Sequence, residues 1–408
     1  LSLSERLKMS VDNNRVLIFV NPRSGVGQAR HIFEHMLSPQ LKAASIPYDC
    51  IITGHTNHAK MFVSECACLQ KYNSIVILSG DGLIFEVLNG ILERRDRKYF
   101  LSHMPIGIIP VGSGNGLLAS VFNHLNRNVT DMKKFVRHAM NAICDSKTTN
   151  LPVNLLHVET SSASFAAFLS VGYGLLSDID IESERWRKIF GRARFTIGAL
   201  IRCFLGLRVY RCRLSFLKSS DAPCSSHNLP PFKADDAITS SLAADDGKEE
   251  CRAIPNQTEC LINSSSDEFL QSTHLCDGIP KISEPVPPQW TVIEDEFIFI
   301  YAVALSHIGH NAIYMPNAKL NDENIYLTYA LRREVNSKIG LFNFLLDISN
   351  GEHLKYPFFK TVRVRSLRIE SMSKPDDGGG IFAVDGELIN SSQLQVTVTS
   401  STMAVIGS

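Results

Sequence analysis

Asp81 stands between two glycines in Ser79-Gly80-Asp81-Gly82, directly after the apolar, β-branched run 74–78. Glycine lets a phosphate or hydroxyl approach the backbone closely, and an acid held between two of them is placed to take a proton. Two other glycine loops share this setting. Asn21-Pro22-Arg23-Ser24-Gly25-Val26-Gly27 follows the run 15–20, and Val111-Gly112-Ser113-Gly114-Asn115-Gly116 follows the run 106–110. Loops that open a helix offer backbone N–H groups and a positive helix end to phosphate. Taken alone, the first loop is as readily a structural turn as a nucleotide site, since it matches neither the dinucleotide fingerprint nor the phosphate loop ending in Lys-Ser or Lys-Thr. Three such loops within 116 residues converge on a phosphate site.

Two charged stretches lie farther along. Asp178 to Lys188 packs four acids and three bases into eleven residues, with Arg192 and Arg194 following. Acids first and bases last suit a helix dipole. The arginines that follow form a cluster able to neutralise phosphates, and an upstream carboxylate could hold a cationic or hydroxylated head group. In Phe382-Ala383-Val384-Asp385-Gly386-Glu387-Leu388 an acidic D-G-E interrupts an apolar strand, which is unfavourable unless the acids have partners. A hairpin turn and a contact with Mg²⁺-nucleotide are both open; Asp376 to Gly380 reads as a turn. Asn57 precedes a helical stretch, 58–71, and reads as its cap. Cys66-Ala67-Cys68 reads as helix packing, because no second cluster completes a metal site.

Strand, turn and helix alternate through the first 150 residues, predicting an α/β nucleotide domain of Rossmann-like, phosphofructokinase or NAD-kinase type. From Asn154 the pattern changes to strands at 154–159, 165–171, 208–217, 291–304, 361–369, 381–388 and 394–399, predicting a C-terminal antiparallel β-sandwich domain over 151–408. Two very apolar helices, 195–205 and 337–346, are either core or the wall of a greasy pocket. Residues 218–288, rich in Ser, Asp, Pro, Cys and Asn, read as a mobile surface insertion.

Composition narrows the class. With 41 basic and 41 acidic residues in 408, no net field points to nucleic acid. Ten irregularly spaced cysteines suit a reducing cytosol better than a disulfide scaffold. The longest apolar run, 297–305, has nine residues, short of the roughly 20 that span a bilayer. The chain opens on Leu1 rather than methionine, so targeting signals ahead of it can have been trimmed.

Together, NPRSGVGQA from Asn21, SGDGLIFEVLNG from Ser79, PVGSGNGLLA from Pro110, DIDIESERWR from Asp178 and FAVDGEL from Phe382 resemble the sphingosine kinases, a branch of the diacylglycerol-kinase catalytic superfamily. The resemblance covers nearly the whole chain outside the insertion. It implies ATP- and Mg²⁺-dependent phosphorylation of a sphingoid base in a cleft between the two domains, with transient membrane contact, a cytoplasmic location and room for a homodimer. It gives Asp81 the role of general base, with Ser79, Gly80 and Gly82 around the reacting group. Nucleotide contacts fall to Asn21, Pro22, Arg23, Thr53, Gly54, His55, Thr56, Asn57, Glu86, Gly112, Ser113, Gly114, Arg187, Arg194, Asp385, Gly386 and Glu387. Asp180 and Ser170 fall to the sphingoid head group. Gly116 stands where the family commonly has alanine, Phe85 where it often has histidine, and an extra residue between Arg187 and Arg194 makes Arg192 a competitor for the second arginine's place. A ceramide or diacylglycerol kinase and a non-catalytic lipid-binding scaffold share enough of the pattern to stand as alternatives.

Overall fold

The structure, a computed structural model, describes residues 15–127, 131–145, 147–191, 193–220, 264–372 and 380–407. The N-terminal part is a parallel sheet of β1 (Arg15–Val20), β2 (Tyr48–Ile52), β3 (Tyr72–Ser79) and β4 (Ile106–Pro110), in the order β4-β3-β1-β2. Residues 17–20 and 75–78 are fully buried, as a parallel sheet covered on both faces requires. The strand order reverses between β1 and β3, and ligands of open α/β sheets bind at the carboxyl ends beside such a reversal. All three glycine loops emerge at that edge.

The helix Asp81–Leu92 leaves β3 at once and buries Leu83, Ile84, Val87, Leu88 and Ile91 at helical spacing. Each such side chain contributes about 1.5–3 kcal/mol by burial. Gly90 lets the helix His58–Glu65 cross closely, since a Cβ there would lie 2.6 Å from the Lys60 carbonyl oxygen.

The second part contains β5 (Asn150–Thr160), β6 (Ser164–Ala167), β7 (Ser170–Gly174), β8 (Tyr210–Lys218), β9 (Thr291–Val303), β10 (His307–Gly309), β11 (Ala312–Ile313), β12 (Ile325–Leu331), β13 (Lys360–Ser371), β14 (Phe382–Val384), β15 (Glu387–Ile389) and β16 (Gln393–Ile406). Apart from one contact of β16 with β4, its pairings are antiparallel. The long strands change partners midway: β9 pairs β8 through its first half and lies between β7 and β12 in its second. Strands shared in this way turn the corners of a folded-over β domain. β16 pairs β5 along its length and touches β4 in parallel at Val405 and Ile106, so the last strand joins the two sheets.

Three sequence expectations change. The run 165–171 is two strands, because the Phe168 and Leu169 N–H groups go to the Asp385 carboxylate instead of a ladder partner. The run 381–388 is a hairpin, with Asp385 (φ 50°) and Gly386 (φ 87°) as its two left-handed turn residues. The insertion is narrower than 218–288. Residues 221–263 lie outside the described residues, but 264–271 is a helix and the chain after it is packed: Arg368 donates to the Lys281 and Glu284 carbonyls, and Trp290 is buried. Residues 373–379, which hold most of the expected 376–380 turn, also lie outside. No helix among the described residues is long and apolar enough to cross a membrane.

Candidate active site

Asp81 is the first residue of its helix, and its side chain reaches across to the next glycine loop. The Gly116 N–H donates to Oδ2 at 2.7 Å and the Leu117 N–H to Oδ1 at 3.3 Å. These donors open the helix Gly116–His124, so the carboxylate lies at the positive ends of two helices. Burial pushes the Asp81 carboxyl above its ordinary value, while N–H bonds from Gly116, Leu117 and Asn115 pull it down.

The loops touch backbone to backbone. A Cβ on Gly112 would lie 2.4 Å from the Gly80 Cα, and one on Gly25 would lie 2.2 Å from the Val111 carbonyl oxygen. Asn115, left-handed at φ 59°, donates from Nδ2 to the Gly112 carbonyl at 2.8 Å and pins the third loop. Gly116 is needed in its own right, because a Cβ there would meet the His307 carbonyl oxygen at 2.8 Å. In the first loop Asn21 Oδ1 accepts the Arg23 N–H at 2.9 Å. Glu86 Oε2 accepts the Ala59 N–H at 3.2 Å, so the cap of the His58–Glu65 helix comes from a neighbouring helix. Asn57 occupies the expected position but is left-handed and makes no side-chain cap bond.

The β-rich part closes the other side. Asp385 accepts N–H groups from Phe168 at 3.0 Å and from Leu169 and Ser170 at 2.9 Å, and its own N–H donates to the Ser170 carbonyl at 2.8 Å. Burial pushes its carboxyl up to about 7, the three N–H groups oppose that, and Asp81 adds to it. Asn89, one turn beyond Glu86, exchanges two hydrogen bonds with the Ala166 backbone and ties the Asp81 helix to β6.

Asp180 lies on the helix Leu175–Ser183. Arg194 donates to the Asp180 carbonyl at 2.9 Å and Ser183 Oγ at 2.8 Å, and pairs with Asp180 Oδ1 at 3.3 Å and Glu184 at 2.7 Å. The arginine expected to face phosphate is therefore largely buried against the acid expected to face the lipid. Asp178, two residues earlier, is wholly buried against Tyr210 and Arg202 and serves packing.

These groups surround one cavity of about 910 Å³. Asn21, Arg23, Thr53, Gly54, His55, Thr56, Glu86, Gly112, Ser113, Gly114, Arg194, Asp385, Gly386 and Glu387 line it, together with Ser79, Gly80, Asp81, Gly82, Ser170 and Asp180. Pro22 and Asn57 do not. The side chain of Arg187 and all of Arg192 lie outside the described residues. Ile179, Phe195, Ala199, Leu345 and Leu346 supply an apolar side, so the two apolar helices are both core and wall. Sequence reasoning missed Asn115, which the N-G pair signals, and Tyr301, a single phenol inside an apolar strand.

Residues 15–154 match the diacylglycerol kinase catalytic domain. Sphingosine kinase 1 of Caenorhabditis elegans is 36% identical over 402 residues, covering 96% of this chain and 81% of that protein. Sphingosine kinase 1 of Homo sapiens is 30% identical over 93% of this chain and 88% of that protein. Among solved structures, a putative diacylglycerol kinase from Bacillus anthracis superposes with a TM-score of 0.58 over 97% of both chains at 16% identity, a likeness of fold. By its match to full-length relatives and by its catalytic-domain match, this chain belongs to the sphingosine kinase family.

Proposed function

We propose that the cleft transfers the γ-phosphoryl group of ATP to the primary hydroxyl of a sphingoid base, giving sphingosine 1-phosphate from sphingosine. The observation that carries this reading is the arrangement of Asp81 and Asp180 on one cavity whose two sides differ: glycine loops on one, apolar helices on the other. In this reading the head group lies between the two acids. The lipid oxygen forms a bond to the γ-phosphorus, the bond to the ADP oxygen breaks, and the hydroxyl proton passes to Asp81. An acid raised by burial yet anchored by N–H groups is a better proton acceptor than an ordinary carboxylate.

The first and third glycine loops, with Thr53 to Thr56, form the nucleotide side; the loops are too closely apposed for side chains, which leaves backbone and polar groups facing the phosphates. Residues 1–150 are thus the catalytic, ATP-binding unit and 151–408 the lipid-binding unit. Among the described residues no cluster of three acidic, His or Cys ligands could hold a metal. Mg²⁺ binds through one or two carboxylates together with substrate phosphates rather than in a dedicated protein cage. Glu387, whose Oε1 lies 2.4 Å from where a Gly82 Cβ would stand, is a carboxylate beside the Asp81 turn that would serve. Bound there, Mg²⁺ would offset charge on the phosphate oxygens. Arg194 holds Asp180 in place, and Asp180 receives the lipid ammonium.

The helices that wall the cavity also carry exposed apolar side chains: Leu200 and Ile339, which is 63% exposed, lie on them, and Leu205, 84% exposed, follows the first directly. Such a surface supports transient contact with the membrane that holds the substrate. The ten irregularly spaced cysteines suit the reducing environment of a cytoplasmic location.

The test is ATP consumption with sphingosine, ceramide and diacylglycerol. Turnover is expected with sphingosine alone, and Asp180→Asn should raise its KM about 10- to 100-fold by removing a charged contact. Preference for a neutral lipid selects the alternative kinases, and no turnover with any lipid selects a binding scaffold.

A further inference from the structure

Tyr301 has no part in the chemistry described so far, yet its phenol lies on the same cavity. It sits on β9 directly opposite Gly172 of β7, and the absent side chain is what makes room for it: a Cβ on Gly172 would lie 2.6 Å from the Tyr301 ring. The edge of Tyr314 packs against it at 5.3 Å between centroids, and the Tyr301 carbonyl accepts from Thr328 at 2.7 Å. Ring position is therefore set from both sides. The phenol donates to Ser170 Oγ at 3.0 Å. The Ser170 backbone is itself fixed, since both its N–H and its carbonyl are bonded to Asp385.

Burial pushes the phenol above its ordinary value, Asp180, Asp385 and Asp81 add to the shift and the Ser170 bond opposes it, so it stays neutral through the physiological range. Whichever of the two hydroxyls donates, the Tyr301–Ser170 pair retains one proton to give and lone pairs to accept. A ligand that both donates and accepts matches such a pair. An ammonium only donates and would leave the remaining proton unmatched, which is unfavourable in a buried setting.

We propose that Tyr301, with Ser170, is a specificity-determining residue that reads the second hydroxyl of the acceptor lipid, the 3-hydroxyl beside the amine. The inference rests on the sphingoid-base reading of the cavity. With the primary hydroxyl at Asp81 and the amine at Asp180, the 3-hydroxyl is the head-group atom left without a partner, and the pair supplies one.

The probes are sphinganine and 3-deoxysphinganine, which differ only in that hydroxyl. The wild-type chain should favour sphinganine in kcat/KM by about three- to tenfold, the range of one neutral hydrogen bond. Tyr301→Phe, which keeps the ring, should lower kcat/KM for sphinganine alone and bring the ratio close to one. Tyr314→Phe, which removes a phenol bonded to Thr328, should leave the ratio unchanged. An equal loss on both lipids, or no loss on either, overturns the assignment. So does a wild-type chain that handles the two lipids alike, a result that needs no variant to fold. Failure of the wild-type chain to phosphorylate either lipid strikes instead at the sphingoid-base reading.

Discussion

On the N-terminal side of the cleft backbone groups set the frame: Asp81 is held by the Gly116 and Leu117 N–H groups, and the loops meet at Gly80, Gly112 and Gly25. On the β-rich side, Asp180, Arg194, Ser170, Tyr301 and Glu387 are side chains brought in from five different elements. The first side is rigid because backbone lies against backbone and nothing can yield. The second side depends on pairings such as Arg194 with Asp180, so one substitution can retune it without collapsing a loop. This division suits a phosphoryl-transfer enzyme. Positioning the phosphates requires fixed donors, whereas the acceptor's identity is a matter of which side chains meet its head group.

The comparison can be broken most severely at Asp81. Asp81→Asn keeps the shape but removes the proton acceptor, and kcat should fall about 10²- to 10⁴-fold while nucleotide affinity, measured by calorimetry, changes little. Near-normal turnover would remove Asp81 from the base role and leave the N-terminal side a binding surface alone.

A smaller effect tests rigidity itself. Gly112→Ala drives a methyl into the Gly80 backbone and should lower stability by about 1–3 kcal/mol, with activity falling as the loops separate. Gly54→Ala on the same side, where a Cβ meets nothing within 4 Å, should change stability by less than about 0.5 kcal/mol. Equal behaviour of the two variants in thermal unfolding would show that loop contact is not what sets this side.

A pH-dependent test concerns Asp385, where a side chain is held in the backbone manner. Its carboxyl is raised to about 7 in the folded chain, above its ordinary value of 3.8, so the folded state binds more protons between those limits. Its contribution to stability is then full below about pH 4 and is lost as pH rises through 7. Comparing the melting temperatures of the natural chain and Asp385→Asn from pH 4 to pH 8 should show the natural chain losing ground with rising pH. A constant difference would mean that the three N–H donors outweigh burial.

The glycine loops were legible in the sequence because close backbone approach demands glycine at fixed places, and the apolar runs before them announced parallel strands. Seven runs of the β-rich part were legible as strands, but the breaks that divide two of them were not, nor were β10, β11 and β12, which no expected strand covers. Nothing local to Phe168 and Leu169 says that their N–H groups belong to an acid more than 200 residues away. The cap on the His58–Glu65 helix was misassigned for the same reason: Asn57 has the right type and place, but Glu86 reaches the N–H groups first. Helix 264–271 was hidden by its polar composition, a run of Ser, Asp and Glu in which Leu270 is the fully buried apolar residue.

By itself the sequence determined the order of the elements, the acid at the end of β3, the glycines around it and the family to which these motifs point. Those features are local, because chain direction, strand period and glycine's conformational freedom act over a few residues. Only the tertiary structure decided that Arg194 turns to Asp180, that Asp385 holds the break between β6 and β7, and that Tyr301 and Ser170 share one wall with both acids. The physical reason is that a side chain's partner is set by which strands and helices are brought side by side, and that information is spread over the whole chain.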